Sequence, residues 1–147
     1  MPINSRNKGA QFEREVAKIL NGFFQSNQID FTTKRNLDQY QAKSQCDLNM
    51  PFHAVECKFY KEGEWYQEGW WKQVCQSAGD SLIPVLVFKY NRRPIRVCVP
   101  MYAINPQLPA NNNITAVMPI ESWLDILQNN WSKYENLHPC KSTQDPS

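Results

Sequence analysis

No run of apolar residues in this chain is long enough to cross a bilayer, and its polar, basic start, Met1 to Lys8, leads into no apolar stretch. The first absence argues against a membrane span and the second against a signal peptide or anchor, so a cytoplasmic location is expected. Cysteine is present without a pattern. Cys46, Cys57, Cys75, Cys98 and Cys140 are odd in number, widely spaced and include no Cys-x-x-Cys pair, which argues against a disulfide framework and against a zinc site. Histidine is scarce: His53 and His138 have no acidic, serine or cysteine partner at a telling spacing, so neither reads as a general base or a metal ligand. A strong excess of one charge is missing as well. The net charge of +2 does not by itself point to a nucleic-acid partner, so any such reading must rest on local basic clusters.

What is there is one domain's worth of chain. With 147 residues, 41% hydrophobic and 12% aromatic, the sequence can bury a core but not two ordinary ones. Phe12, Val16, Ile19, Leu20 and Phe23 follow the spacing of one helical face, which predicts a helix from Gly9 to Phe24 with Glu13 at the margin of that face. A short strand is expected at Ile29 to Thr32, then a mobile polar loop from Thr32 to Gln45. Cys46 to Asn49 and Ala54 to Tyr60 read as a hairpin, interrupted where Pro51 cannot continue a ladder.

Gln67 to Ala78 reads as a helix ended by Gly79, and Pro84 to Phe88 as a strand covered on both faces. Ile95 to Val99 alternates like a half-covered strand, Tyr102 to Pro119 has no clear assignment, and Ile120 to Trp131 reads as a last helix. The expected layout is a single α/β domain over residues 1–131, a central mixed β-sheet flanked by helices, followed by a loose tail at 132–147.

The chemistry sits in Asp47, then Glu56-Cys57-Lys58 after eight intervening residues. Residues two apart on a strand share a face, so Glu56 and Lys58 project together while Val55, Cys57 and Phe59 face the other way, and Asp47 reaches the first face across the hairpin. Two carboxylates at a strand end supply hard oxygen ligands of the kind Mg²⁺ takes, with water and phosphate oxygens completing its shell. That set suits phosphodiester hydrolysis, with Lys58 orienting the attacking water, stabilising developing charge or acting as a base if burial lowers its pKa. Taken alone the motif is short enough to recur by chance, and charged residues alternating on an exposed strand would give the same letters.

Order along the chain adds specificity. Lys8-Gly9-Ala10-Gln11-Phe12-Glu13-Arg14 is similar to the first-helix segment of archaeal-type Holliday junction resolvases, a family of PD-(D/E)XK nucleases. Cys46-Asp47-Leu48, Val55-Glu56-Cys57-Lys58 and Ile83 to Lys89 resemble that family's following segments in the same order, covering roughly residues 8–100. The resemblance implies a restriction-endonuclease-like fold and a metal-dependent, structure-selective DNA endonuclease that acts as a homodimer on branched double-stranded DNA. It implies that Glu13, Asp47 and Glu56 bind Mg²⁺ or Mn²⁺, that the Cys57 carbonyl is a further ligand, and that Lys58 assists catalysis. The host is then a prokaryotic cell or a virus-infected one. The chain departs from the family in a longer stretch before Asp47 and in the aromatic segment Glu62 to Lys72.

Arg6, Lys8, Lys34, Arg35 and Lys43 are the expected phosphate contacts, weighed against an ordinary solvated surface, which is also the plainer reading of Arg92, Arg93 and Arg96. Gln73 is a candidate for orienting phosphate or water, although most such glutamines are surface residues. Trp65, Tyr66, Trp70 and Trp71 can stack on unpaired bases, but large aromatics dominate cores and interfaces, so packing or dimer contact is the preferred reading. Two rival functions stay open: a nuclease with the same site acting on flapped or ordinary duplex DNA, and a catalytically inactive DNA-binding module.

Overall fold

A computed structural model describes residues 2–36 and 46–135 of the protein, with side chains from residue 7 onward. The first helix, α1 (Pro2–Ser26), is longer than its apolar stripe predicts. Phe12, Val16, Leu20 and Phe23 are buried as the periodicity requires, together with Ala17 and Phe24, whereas Ile19 is only partly covered.

The strand expected at Ile29 to Thr32 does not form. The segment instead follows α1 back and is clamped by it: the Asn21 amide donates to the Thr33 carbonyl at 3.0 Å and accepts from the Thr33 N–H at 2.8 Å. Within the expected strand the Ile29 N–H donates to the Phe24 carbonyl and the Phe31 N–H to the Ile29 carbonyl, and residues 30–32 are exposed to water, so this backbone needs no ladder partner. Two residues on, Arg35 makes an isolated antiparallel bridge with Leu48, and the Asn36 N–H donates to the Asp47 carbonyl at 2.9 Å. The start of the expected mobile loop is therefore tied between α1 and the sheet; residues 37–45 lie outside the described residues.

The hairpin is present as β1 (Leu48–Met50) and β2 (His53–Tyr60), antiparallel, with Phe52 at φ 69° in the tight turn after Pro51. The next helix, α2 (Glu68–Ala78), stops where Gly79 adopts φ 61°, a conformation open to glycine without steric cost. It carries the chain over to β3 (Ile83–Tyr90), which pairs in parallel with β2, and β4 (Arg96–Pro100) returns antiparallel. The unassigned stretch holds a one-turn helix, α3 (Met101–Ile104), and a strand, β5 (Thr115–Pro119), that closes the sheet in the order β1-β2-β3-β4-β5. Four-residue helices and a strand broken by Ala and Pro carry little periodicity, which is why neither was legible.

Two layers cover this mixed sheet, as expected of a restriction-endonuclease-like domain. On one face Phe12, Val16 and Leu20 of α1 pack with Val55, Val85, Val97 and the last helix, α4 (Ile120–Tyr134). On the other, Trp70, Trp71 and Val74 of α2 cover Leu86, Phe88, Tyr90 and Cys98. Cys98 in that second layer explains why β4 is buried on both faces rather than half covered. Trp70 and Trp71 are thus core residues, which supports packing for that pair, while Tyr66 is half-buried and Trp65 remains exposed. Helix α4 runs three residues past the expected end at Trp131 because Tyr134 is itself core, its hydroxyl donating to the Ala103 carbonyl at 2.5 Å.

His53 is core as well. It is 1% exposed, 2.7 Å from the Pro51 carbonyl through Nδ1, and set against the rings of Trp123, Trp131 and Tyr134. A carbonyl only accepts, so Nδ1 carries the proton and the ring is the neutral Nδ1–H tautomer. Cys46, Cys57 and Cys98 are buried free thiols and Cys75 a partly buried one, in keeping with the expectation for these positions.

Candidate active site

The last paired residues of the hairpin are Leu48 and Val55; two further steps of that register would set Cys46 against Cys57. The ladder breaks there and a side chain takes it over. Asp47 Oδ2 accepts the Cys57 N–H at 2.8 Å, and Glu56 Oε1 in return accepts the Asp47 N–H at 3.2 Å. Each carboxyl group is thus held by the backbone of the other's strand, through an N–H donated to one of its oxygens. Because the N–H and C=O of a strand residue lie on the same edge, the Cys57 carbonyl also points past the end of β1 toward Asp47.

Glu56 and Lys58 stand opposite Leu86 and Phe88 of β3 and share their face, the one carrying α2, while Val55, Cys57 and Phe59 pack in the α1 layer. Asp47 is 7% exposed and Glu56 2%, so both carboxylates are set in the protein rather than in water. Burial raises both pKa values above the ordinary carboxylate range. For Asp47 the Cys57 N–H opposes that rise and the charge of Glu13 adds to it; for Glu56 the charge of Asp47 adds to it; Lys58 works against the rise in both. A pair disposed this way retains a proton at neutral pH unless a cation replaces it.

A divalent metal fits this pair. The donors are hard oxygens, the charge is desolvated and repulsive, and a Mg²⁺-like ion asks the protein for only one or two carboxylates. Among the described residues, no three His, Cys, Asp or Glu side chains are set as ligands of one ion, although Glu13 lies near enough for its charge to act on Asp47. Glu13 faces Arg35: the guanidinium Nε donates to Glu13 Oε1 at 2.7 Å, with the two side chains 13% and 19% exposed respectively. Arg35, expected as a phosphate contact on a loose loop, is anchored to the acid expected as a metal ligand.

The other expected contacts are scattered. Lys8 donates to Asn91 Oδ1 at 3.0 Å and lies 4.7 Å above the Phe59 ring, with Lys89 at 5.4 Å from the same ring. A groove of about 380 Å³ runs past Lys8, Gln11, Phe12 and Phe59. Lys34 is exposed, the Arg6 side chain and Lys43 lie outside the described residues, and Gln73 is exposed on α2 with no hydrogen bond to the carboxylates among those described. Lys89 and Asn91 were not singled out from the sequence. They reach Lys8 and Phe59 only because β2 and β3 run parallel, and the sole sequence signal is that Lys89 lies at the end of the core strand and Asn91 directly after it.

The family described as "Phage putative PDDEXK endonuclease" matches residues 4–140. No curated protein and no solved structure matches the chain.

Proposed function

The chain belongs to the phage PDDEXK endonuclease family and is a nuclease, and from that premise we propose a metal-dependent DNA endonuclease that nicks branched DNA, resolving four-way junctions as a homodimer. The observation that carries the catalytic part is the buried, reciprocally bonded pair of Asp47 and Glu56 with Lys58 on the same strand face as Glu56. The order of motifs shared with junction resolvases supports the choice of substrate.

In this reading Asp47, Glu56 and the Cys57 carbonyl hold Mg²⁺, or Mn²⁺ in its place. A divalent ion bound there supplies Lewis-acid stabilisation of phosphate charge and a more acidic water. Lys58 faces the scissile phosphate and orients the attacking water by donating to it, an interaction strengthened by the low-dielectric surroundings of the buried pair. The Cys57 N–H fixes Asp47 against rotation, and the Asp47 N–H does the same for Glu56. Glu13 serves as the outer acid, and its bond to Arg35 is the contact that any ligand role must share or displace. Lys8, with Lys34, Arg6, Arg35 and Lys43, supplies phosphate contacts that position the duplex without reading its sequence.

End-labelled four-way junction, flap and linear duplex DNA, incubated with the protein in Mg²⁺ or in EDTA, test the proposal. Paired, symmetrical nicks confined to the junction and abolished by EDTA are expected. Equal cutting of linear duplex would keep the active site and remove the junction; no metal-dependent cutting of any DNA would leave a binding module.

A further inference from the structure

Along β2 the face that carries Glu56 and Lys58 continues to Tyr60, because the three stand opposite Leu86, Phe88 and Tyr90 of the neighbouring strand. Two residues of strand advance roughly 7 Å, so Tyr60 lies one such step beyond Lys58, on the side away from the carboxylates. Where the neighbouring aromatics are buried, Tyr60 is 46% exposed. One face of its ring is covered: Trp70 stacks on it at a centroid distance of 5.0 Å and an interplanar angle of 7°. Trp70 is itself 7% exposed and backed by Tyr90, with centroids 6.3 Å apart. No second ring lies against Tyr60 among the described residues.

A core tryptophan thus holds a solvent-facing tyrosine flat, in line with the cleavage site. A ring held rigid by support on one face is preorganised to take a second ring on the other, and base–aromatic stacking is tolerant of sequence because every base has a π-face. The surroundings favour a base over a phosphate. The following segment sets Glu62, Glu64 and Glu68 against Lys61, Lys72 and Arg96, which donates to the Glu64 carbonyl, so the charges balance and offer no net attraction for the backbone, whereas Lys8 and Lys89 flank Phe59 on the opposite face of β2.

We propose that Tyr60, supported by Trp70, is a stacking platform for an unpaired base next to the scissile phosphate, so that the enzyme selects DNA whose strands part at the cut. This rests on the nuclease reading above and gives it a substrate determinant: a branch point, where stacking is interrupted, gives up such a base at lower cost than continuous duplex does.

The test places 2-aminopurine at a single unpaired nucleotide built into the branch of a four-way junction and follows its fluorescence on binding in EDTA, then measures cleavage in Mg²⁺. Wild type and Tyr60→Phe are expected to quench the probe. Tyr60→Ala, and Tyr60→Leu, which keeps bulk over Trp70, are expected to lose the quench and to cut the branched substrate about tenfold to a hundredfold less efficiently, chiefly through KM. At saturating branched DNA the loss should shrink, as a binding defect requires. A quench that survives in both Tyr60→Ala and Tyr60→Leu, a loss that falls on kcat with KM unmoved, or a Tyr60→Phe variant as impaired as Tyr60→Ala would each overturn the platform. A wild-type protein that quenches the probe but cleaves nothing would sink the nuclease reading and leave the platform standing.

Discussion

Arg35 donates from Nε to Oε1 of Glu13 at 2.7 Å, joining a segment that precedes the sheet to the first helix of the chain. The pair lies between two regimes: fully exposed ion pairs contribute about 0–1 kcal/mol, while removing one partner of a buried pair costs about 3–5 kcal/mol. With both side chains less than a fifth exposed, a coupling of about 1–2 kcal/mol is expected from a double-mutant cycle of Glu13→Gln and Arg35→Met in urea unfolding. The same variants separate structure from chemistry. If Glu13 serves the metal, Arg35→Met frees its carboxylate and half-maximal cleavage shifts to lower Mg²⁺, whereas Glu13→Gln shifts it to higher Mg²⁺; identical metal titrations would confine Glu13 to holding Arg35.

Asp47 and Glu56 set activity against stability. Their native pKa values are raised by burial, so the folded protein binds more protons than the unfolded chain, and stability contributed by these groups falls as pH rises through the native values. Glu56→Gln removes the charge and leaves the shape. In metal-free buffer at pH 8 it is expected to unfold a few degrees higher than wild type while losing cleavage altogether. Mg²⁺ should raise the melting temperature of wild type, more at pH 8 than at pH 5.5 because protons compete for the same oxygens, and should leave Glu56→Gln nearly unmoved. A metal-induced shift of equal size in both proteins would place the ion elsewhere.

The parts of this arrangement legible in the sequence are those in which neighbours along the chain decide geometry. The alternation that puts Glu56 and Lys58 on one face needs only the pleat, and the stripe of Phe12, Val16 and Leu20 needs only the helical period. What could not be read depends on which segments become neighbours. Parallel pairing of β2 with β3 brings Lys89 and Asn91 to Phe59 and Lys8, and the Asn21 clamp on Thr33 replaces an expected strand with an extended tether. Tyr60 was overlooked for a related reason: the motif ends at Lys58, and nothing local says that the next tyrosine on the same face stays uncovered while Trp70 and Trp71 are buried.

Gly63 is where the aromatic segment depends on a missing side chain. It adopts φ 150°, and a Cβ built there would fall on the Tyr90 ring, whose hydroxyl donates to the Trp65 carbonyl at 2.6 Å. Gly63→Ala must push a buried ring and strain its own backbone, so a loss of about 1–3 kcal/mol is expected in chemical denaturation. Since Tyr90 also backs Trp70, the variant should disturb the near-ultraviolet circular dichroism of the tryptophans. A variant as stable as wild type would mean that the turn after Tyr60 relaxes freely.

His53 supplies the clearest acid response. Burial lowers its pKa to about 4, against an ordinary 6.5, so the native ring stays neutral while the unfolded chain takes up a proton. The stability it contributes is therefore intact above pH 6.5 and declines as pH falls toward 4, by about 1.4 kcal/mol for each unit. Asp47 and Glu56 act with the opposite sign, gaining native protons as pH falls, so the total for wild type is a sum of opposed effects. Subtraction isolates the histidine. His53→Phe keeps a ring among Trp123, Trp131 and Tyr134 but loses the bond to the Pro51 carbonyl, a cost that does not vary with pH. Between pH 7 and pH 4.5 wild type is expected to lose about 2–3 kcal/mol more unfolding free energy than His53→Phe, measured by urea titration at each pH. Parallel losses in the two proteins would mean that His53 is protonated in the folded state, and hence that water reaches its Nε2 inside the core.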